Sequence, residues 1–242
     1  MKKNLETYKP GEAFIDIGEY DAGIRQIIPY YDLMLDIITK VVPAETNTIL
    51  ELGSGTGELT MKLLAGCKQA KFLCIDYSGR MIQFMKNKIT TAGHDSRMEW
   101  VQTDIENIPL SDNIVLKTGS VGACVSSLAL HHLTDESKGR LISHIYTLLR
   151  PGGHFWIADT VLPRSGEMTG YFMAEREQWL SDQGLTREMM AQKMLHDKLF
   201  KQPDNHNPGT IEKQLGMFEM AGFRTTEVLW KYFGLAVFGG IK

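Results

Sequence analysis

The residues best placed to do chemistry fall in a few short clusters. Gly53, Gly55 and Gly57 lie in Ile49-Leu50-Glu51-Leu52-Gly53-Ser54-Gly55-Thr56-Gly57, directly after an apolar run. Asp76 follows Cys74-Ile75, Asp104 follows Thr103, and the pair His131-His132 follows Ser127-Leu128-Ala129-Leu130. Glycines between a strand and a helix make a tight turn whose backbone can approach a ligand closely. Taken alone, the same pattern also serves as a plain connecting turn. A carboxylate at a strand tip can accept both hydroxyls of a ribose while rejecting a 2′-phosphate. A second acid one strand further on can accept from an adenine amino group, with Ile105 against the ring. Either acid alone reads equally well as a helix cap or turn residue; both together, after this loop, point to a nucleoside.

One position separates the possible ligands. The dinucleotide fingerprint GxGxxG wants a small residue at its sixth place, for close helix packing and room for a pyrophosphate. Counted from Gly53, that place is Glu58. An acid at a helix start would also repel a diphosphate that the helix dipole attracts. A phosphate-free cofactor fits better, and S-adenosylmethionine, whose ammonium and sulfonium are cations, is one. His131 and His132 have a suitable pKa for a general base; the alternative is a rim motif with one ring packed and the other solvated. His196 and His206 have no companions at metal-ligand spacing, so they read as surface groups and no metal is expected.

The elements that must position these groups alternate along the chain. A helix is expected from near Pro29 to before Pro43, because Ile27, Ile28, Tyr31, Leu35 and Ile38 recur at helical spacing. Strands are expected at Thr48–Leu52, Lys71–Ile75, Met98–Gln102, Val121–Ser126 and Phe155–Ala158. Helices are expected at Leu59–Leu64, Gly79–Thr90 and Glu136–Leu149, the last ended by Pro151-Gly152-Gly153. Such alternation means a parallel sheet covered on both faces. Residues Gly166 to Phe200 read as one or two helices, and Pro203 to Gly209 as a break, with Thr210 capping the next helix. Arg224–Tyr232 and Leu235–Ile241 read as a hairpin turning near Gly234. The fold expected is therefore α/β, a doubly wound Rossmann-like sheet with a C-terminal antiparallel hairpin and a helical insertion acting as a lid. One domain should span residues 1–242: an N-terminal helical cap (1–46), a cofactor-binding core (47–162), the insertion (163–209), and a last helix with the hairpin (210–242).

Bulk properties narrow the class. A chain of 242 residues has room for one α/β domain with a modest insertion and a core that needs no disulfide or metal staple. A net charge of -3 and a pI near 6.2 give no global attraction to phosphate backbones. Cys67, Cys74 and Cys124 contain no CxxC pair, and the last two lie in apolar runs, as expected in a reducing compartment. Met1 to Glu12 lacks the apolar region of a signal peptide, and the Phe233–Ile241 run is too short for a bilayer. A cytoplasmic protein with no membrane partner is expected.

Over nearly its whole length the sequence resembles the class I S-adenosylmethionine-dependent methyltransferases. The resemblance rests on ELGSGTG, on Ile75-Asp76-Tyr77-Ser78 with Met81, and on Asp104-Ile105-Glu106-Asn107-Ile108-Pro109-Leu110. Val125-Ser126-Ser127-Leu128-Ala129-Leu130-His131-His132-Leu133 and Leu148-Leu149-Arg150-Pro151-Gly152-Gly153 complete it. It implies that Glu51, Gly53, Ser54, Gly55 and Gly57 back the amino-acid end of S-adenosylmethionine. Asp76, with Tyr77 and Met81 nearby, would hold ribose, and Asp104 with Ile105 adenine. The two ends, Ile24-Arg25-Gln26-Ile27-Ile28-Pro29-Tyr30-Tyr31 and Ala221-Gly222-Phe223, look like the tRNA wobble-uridine carboxymethyltransferases, which use a carboxylated cofactor. That likeness implies a cofactor contact for Tyr31 and places Ser127 at the site of a cofactor-binding asparagine. It also marks a departure. Where those enzymes read the extra carboxylate with arginine, this chain has Gln214, and a neutral amide cannot supply a cationic fork.

The leading expectation is thus methyl transfer from ordinary S-adenosylmethionine to a small molecule, by in-line displacement at oxygen, nitrogen or carbon. A tRNA-modifying enzyme is the alternative, and a non-catalytic cofactor-binding regulator is a third. A homodimer is compatible with the resemblance. Met168, Met173, Met189, Met190 and Met194, with Tyr171, Phe172 and Trp179, read as helix-packing core, or else as a soft wall for a flat acceptor. Lys193, Lys198 and Lys201 read as a solvated helix face.

Overall fold

A computed structural model describes residues 17–110, 116–186, 189 and 207–242. The expectations for Met1–Glu12, Met190, Lys193, Met194, His196, Lys198, Lys201 and His206 lie outside these residues. Helices α1 (Tyr20–Ile27) and α2 (Tyr31–Val41) precede β1 (Thr48–Leu52), α3 (Glu58–Gly66), β2 (Lys71–Asp76), α4 (Gly79–Thr91) and β3 (Met98–Gln102). Then come β4 (Val121–Ser127), α5 (Asp135–Leu148), β5 (Leu149–Thr160), α6 (Thr169–Asp182), α7 (Ile211–Ala221), β6 (Thr225–Tyr232) and β7 (Leu235–Ile241).

The strands form one seven-stranded sheet in the order β3-β2-β1-β4-β5-β7-β6. β1 to β5 are parallel, while β7 runs antiparallel to both β5 and β6. The expected hairpin therefore inserts its second strand next to β5 and leaves its first at the edge. Chain order reverses between β1 and β4, and in open α/β sheets ligands bind beyond the strand C-termini at such a reversal.

The two-residue period of β1 explains the two layers. Leu50 and Leu52 face one core with Leu141, Ile145 and Leu148 of α5 and Met217 and Phe218 of α7. Ile49 faces the other, with Met34, Leu35 and Ile38 of α2, Leu59 and Leu63 of α3, and Met85 and Ile89 of α4. Several helix starts are capped as their sequences demand. Ser78 accepts from the Met81 N–H, Thr134 from that of Ser137, and Thr210 from that of Lys213.

Two elements differ from the sequence expectation. α1 was not expected, because Ile24 and Ile27 are its only buried residues and make a single apolar step. β5 begins at Leu149, well before the expected Phe155. Pro151-Gly152-Gly153 does end the helix, but the chain stays extended through a register shift against Val121 and Ala123 of β4.

Candidate functional site

The loop after β1 folds back on β2. The N–H groups of Gly53 and Ser54 both donate to the Ile75 carbonyl, at 2.8 and 3.0 Å, and Gly57 N–H donates to the Ser54 carbonyl at 2.9 Å. All three glycines take left-handed backbone angles, which side chains disfavour. Their surroundings differ. A Cβ on Gly53 would lie 2.4 Å from the Ala129 methyl, and one on Gly57 would lie 2.8 Å from Met85. A Cβ on Gly55 would meet nothing within 4 Å. Gly53 and Gly57 thus permit close packing, and Gly55 alone faces open space. Beside it, the Ser54 hydroxyl is buried with no protein hydrogen-bond partner.

Asp76 lies at the edge of that space. Its Oδ2 accepts from Gly55 N–H and its Oδ1 from Ser78 N–H, both at 2.8 Å. Burial pushes its pKa up, the Ser78 and Gly55 amides oppose this, and the charge of Asp104 adds to it. The two acids are therefore close enough to feel each other. Asp104 is half-buried and its Oδ1 also accepts from Glu106 N–H at 3.1 Å, with Ile105 buried behind it. Each acid makes a turn-stabilising bond, Asp76 with Ser78 N–H and Asp104 with Glu106 N–H.

The remaining sequence-derived residues take distinct places. Met81 is buried in the first turn of α4, and Tyr77 is half-buried with its carbonyl accepting from Gln102 Nε2 at 3.2 Å. Ser127 is half-buried at the end of β4, next to Ser126, whose hydroxyl donates to the Leu52 carbonyl at 2.9 Å. Tyr31 is buried at the start of α2, with the Arg25 guanidinium 5.5 Å from its ring centre. Glu51 lies beneath the loop, 1% exposed, accepting a hydrogen bond from Thr60. Burial pushes its pKa up to about 8 against the effect of that bond. Its carboxyl thus braces β1 against α3.

Glu58 revises the sequence argument. Arg25 and Lys88 both donate to its carboxylate, Lys88 at 2.6 Å. Although burial raises its pKa, these two cations bring it down to about 2. A carboxylate so paired repels an incoming diphosphate far less than a lone one, so only the steric half of the argument against a dinucleotide stands. The pairing continues in both directions. Lys88 also donates to Asp21 at 2.6 Å, Arg25 to Asp32 at 2.9 Å, and Lys62 to Asp36 at 2.7 Å with Asp32 at 3.7 Å. Alternating charges thus join α1, α2, α3 and α4 around the start of α3. The sequence shows only same-helix spacings such as Asp21 with Arg25 and Glu58 with Lys62, and none of these ion pairs is of that kind.

On the other side of the reversal, His131 Nδ1 lies 2.5 Å from Oδ1 of Asp159, whose Oδ2 accepts from His131 N–H at 3.0 Å. Burial raises the Asp159 pKa, but the neighbouring His131, the Thr160 N–H and His132 together leave it below the usual carboxylate range. The His132 ring lies 3.9 Å from that of His131. Lys138, wholly buried, donates to the Asn207 carbonyl, and Asn207 N–H donates to the His131 carbonyl at 2.6 Å. Sequence reading missed Asp159. Its signal was an acid at the tip of β5, beyond Phe155–Ala158.

The rim here is aromatic. Tyr30 meets Tyr232 at 4.8 Å, Trp179 at 5.5 Å and Trp230 at 6.1 Å, while Phe172 packs edge-on against Phe233 at 5.6 Å. Because β7 starts opposite Thr160, the turn at Phe233 and Gly234 lies at the C-terminal edge of β5. α6 buries only Leu180 and exposes Tyr171 and Met173; Met168 before it and Met189 beyond it are exposed as well, contrary to the expected packing core. They lie outside the apolar step that Leu180 makes with Ile27 of α1.

Sheet order and the glycine turn after β1 define an α/β domain of the Rossmann-like type. Residues 49–153 match the family described as "Methyltransferase domain". An uncharacterized methyltransferase of Anoxybacillus flavithermus is 34% identical over 161 residues, covering 62% of this chain and 68% of its own. A carboxy-S-adenosyl-L-methionine synthase of Nautilia profundicola is 23% identical over 92% of this chain and 90% of its own, in keeping with the resemblance read at the two ends. An O-methyltransferase family protein from Burkholderia thailandensis shares the fold with a TM-score of 0.65 at 16% identity, over 94% of this chain and 60% of its own. The chain belongs to the S-adenosylmethionine-dependent methyltransferases.

Proposed function

We propose that this enzyme methylates a small molecule bearing a hydroxyl or an amine, in the space between the tips of β4 and β5 and the aromatic rim. The observation that carries the reading is the loop after β1, where Gly55 borders open space and its N–H is held by Asp76; the buried His131–Asp159 pair after β4 and at the end of β5 supports it. The residues present suit S-adenosylmethionine: a buried, partnerless Ser54 hydroxyl, an uncluttered glycine backbone and two carboxylates for a nucleoside. Asp76 would hold ribose and Asp104 with Ile105 adenine, while Gly53, Ser54, Gly55 and Gly57 back the amino-acid end. Tyr31, Tyr77, Met81 and Ser127 would complete the wall, with Glu51 bracing it from below.

The cofactor, when bound, supplies a methyl group on a sulfonium that is already a good leaving group. The protein's share is then orientation, for which effective molarities are worth roughly 7–11 kcal/mol at best. A hydroxyl or ammonium acceptor must also lose a proton. With Nδ1 held by Asp159, Nε2 of His131 is the atom that takes it. His132, whose ring is tilted against the first at 3.9 Å between centres, would shield it from water. α6, the described helix of the expected insertion, would cover the acceptor, within a single domain spanning residues 1–242.

Ordinary S-adenosylmethionine is preferred over its carboxylated form. Gln214 is 2% exposed and donates to the Gly209 carbonyl at 3.3 Å, so it offers a carboxylate no cation. The whole-chain similarity to carboxy-S-adenosylmethionine synthases supports a second reading, a part in tRNA modification. Among the described residues no helix is long and apolar enough to cross a membrane, and the buried thiols of Cys67, Cys74 and Cys124 suit a reducing cytoplasm. The test is production of S-adenosylhomocysteine from S-adenosylmethionine with fractionated small metabolites or with bulk tRNA. Turnover with a small-molecule fraction supports the first reading; turnover with tRNA alone replaces it with the second.

A further inference from the structure

Lys138 of α5 is wholly buried, and its ammonium donates to a backbone carbonyl, that of Asn207. Asp135 stands 3.7 Å from it, but the other oxygen of Asp135 is held by Lys213 of α7 at 2.6 Å. Taking an ammonium out of water costs several kcal/mol, which a close ion pair ordinarily offsets. An apolar side chain of similar length would fill the same space without that cost, so packing alone does not account for a lysine here.

The bond leads to the histidine. Asn207 N–H donates to the His131 carbonyl at 2.6 Å, and His131 N–H donates to Asp159 Oδ2 at 3.0 Å. The same stretch is tied to the continuation of β5, where Leu162 N–H donates to the Gly209 carbonyl at 3.0 Å and Leu162 pairs with Thr210. Residues 207–210 thus join the His131 backbone to the strand that carries Asp159, and Lys138 holds them at one end. Packing there is incomplete, because a hollow of about 360 Å³ lies against Asp135, Leu162, Asn207 and Pro208. Burial lowers the Lys138 pKa and the charges of Asp135 and Asp159 oppose this, in keeping with an ammonium near the pair.

We propose that Lys138 is a positioning residue for the His131–Asp159 pair, acting through the Asn207 backbone. The inference rests on the reading of His131 as base and adds the residue that fixes its ring. With its N–H on Asp159 and its carbonyl on Asn207, the His131 backbone is held on both sides. The ring then meets Asp159 through Nδ1 and leaves Nε2 for the acceptor proton. Without the ammonium, the Asn207 carbonyl loses its partner, the segment loosens from His131, and the ring can turn.

The test is the tautomer of His131, read from the ring nitrogen shifts of the full chain labelled at histidine, at a pH where the ring is neutral. Wild type should favour Nδ1–H over Nε2–H by at least about tenfold, the scale of a bond to a charged acceptor. Lys138→Met should lower that ratio about 3- to 10-fold, the range of one lost hydrogen bond. Asn207→Pro, which removes the N–H given to His131, should lower it as much. Asn207 is half-buried and precedes Pro208, which already favours the extended backbone that proline accepts. The ratio is read in folded molecules, so a substitution that merely weakens the fold leaves it unmoved. A ratio within about twofold of wild type in either folded variant would overturn the positioning role and leave His131 as base. Absence of the Nδ1–H form from wild type would overturn both. If Lys138→Met does not fold, Asn207→Pro decides.

Discussion

The halves of the sheet on either side of the β1/β4 reversal are closed by different physics. Over β1, β2 and β3, an alternating chain of charges ties four helices round the start of α3, and the groups proposed to meet the cofactor are backbone amides and carboxylates. Over β4, β5 and the hairpin, the rim is made of aromatic rings, with one buried His131–Asp159 pair below it. A nucleoside with a zwitterionic tail needs fixed polar atoms at set positions. A wall of polarisable rings on a helix that buries little suits an acceptor whose shape varies from enzyme to enzyme. The polar half therefore identifies the family, and the aromatic half carries what is particular to this protein.

The largest expected effect breaks the polar half. Gly55→Val would place a branched side chain in the open space and force a left-handed angle that costs about 1–2 kcal/mol. Binding of S-adenosylhomocysteine by calorimetry should fall about 100-fold or more, the scale of a blocked contact with buried polar partners. Gly53→Ala, aimed at the Ala129 methyl, should instead lower Tm, because its clash is with the protein. If both variants lost only affinity, the distinction drawn between the glycines would fail.

The next effect belongs to the other half. Asp159→Asn or His131→Gln should reduce turnover about 10²-fold, as loss of a positioned general base does, with cofactor affinity held within about twofold. Loss of affinity with unchanged turnover would make the pair a structural support, and the two halves would no longer divide binding from proton transfer.

A smaller effect lies in Glu51. Its folded value, about 8, stands above the 4.5 of the unfolded chain, so the folded protein holds a proton there that the unfolded chain has lost. Stability from this group is complete below about pH 4.5 and is lost as pH rises through about 8. Glu51→Gln keeps an oxygen to accept from Thr60 and has no charge to bury. Its Tm should exceed that of wild type above pH 8, by about 1–3 kcal/mol of stability, and the difference should shrink towards pH 5. An equal or lower Tm at pH 8.5 would count against a protonated Glu51. The smallest effect sits in the aromatic rim. Tyr232 donates to Glu175, which raises its pKa to about 12, and Tyr232→Phe should cost no more than about 1 kcal/mol in denaturant titration.

Much of the polar half was legible in the sequence, because it is local. A glycine turn, a strand-end acid and a following helix cap each lie within a few residues of one another, so type and spacing single out Gly53 to Gly57, Asp76 and Asp104 as candidates. Even there, sequence gave all three glycines one role, and the structure gives Gly53 and Gly57 to packing against Ala129 and Met85. The ionic chain was not legible: Asp21, Glu58 and Lys88 lie 30 or more residues apart and meet only because α1 crosses the starts of α3 and the flank of α4. Asp159 stayed hidden for the same reason, being 28 residues from the histidine it holds.

The amino-acid sequence by itself determined the alternation of strands and helices, the turn that makes room for a ligand, and the chemical kind of that ligand. These depend on periodicity and on neighbours along the chain, where short-range sterics and hydrogen bonding act. Only the tertiary structure decided which charges neutralise one another, which glycine looks into open space, and which face of α6 is left to solvent. Those outcomes depend on distances between elements, and no local pattern encodes a distance that packing alone sets.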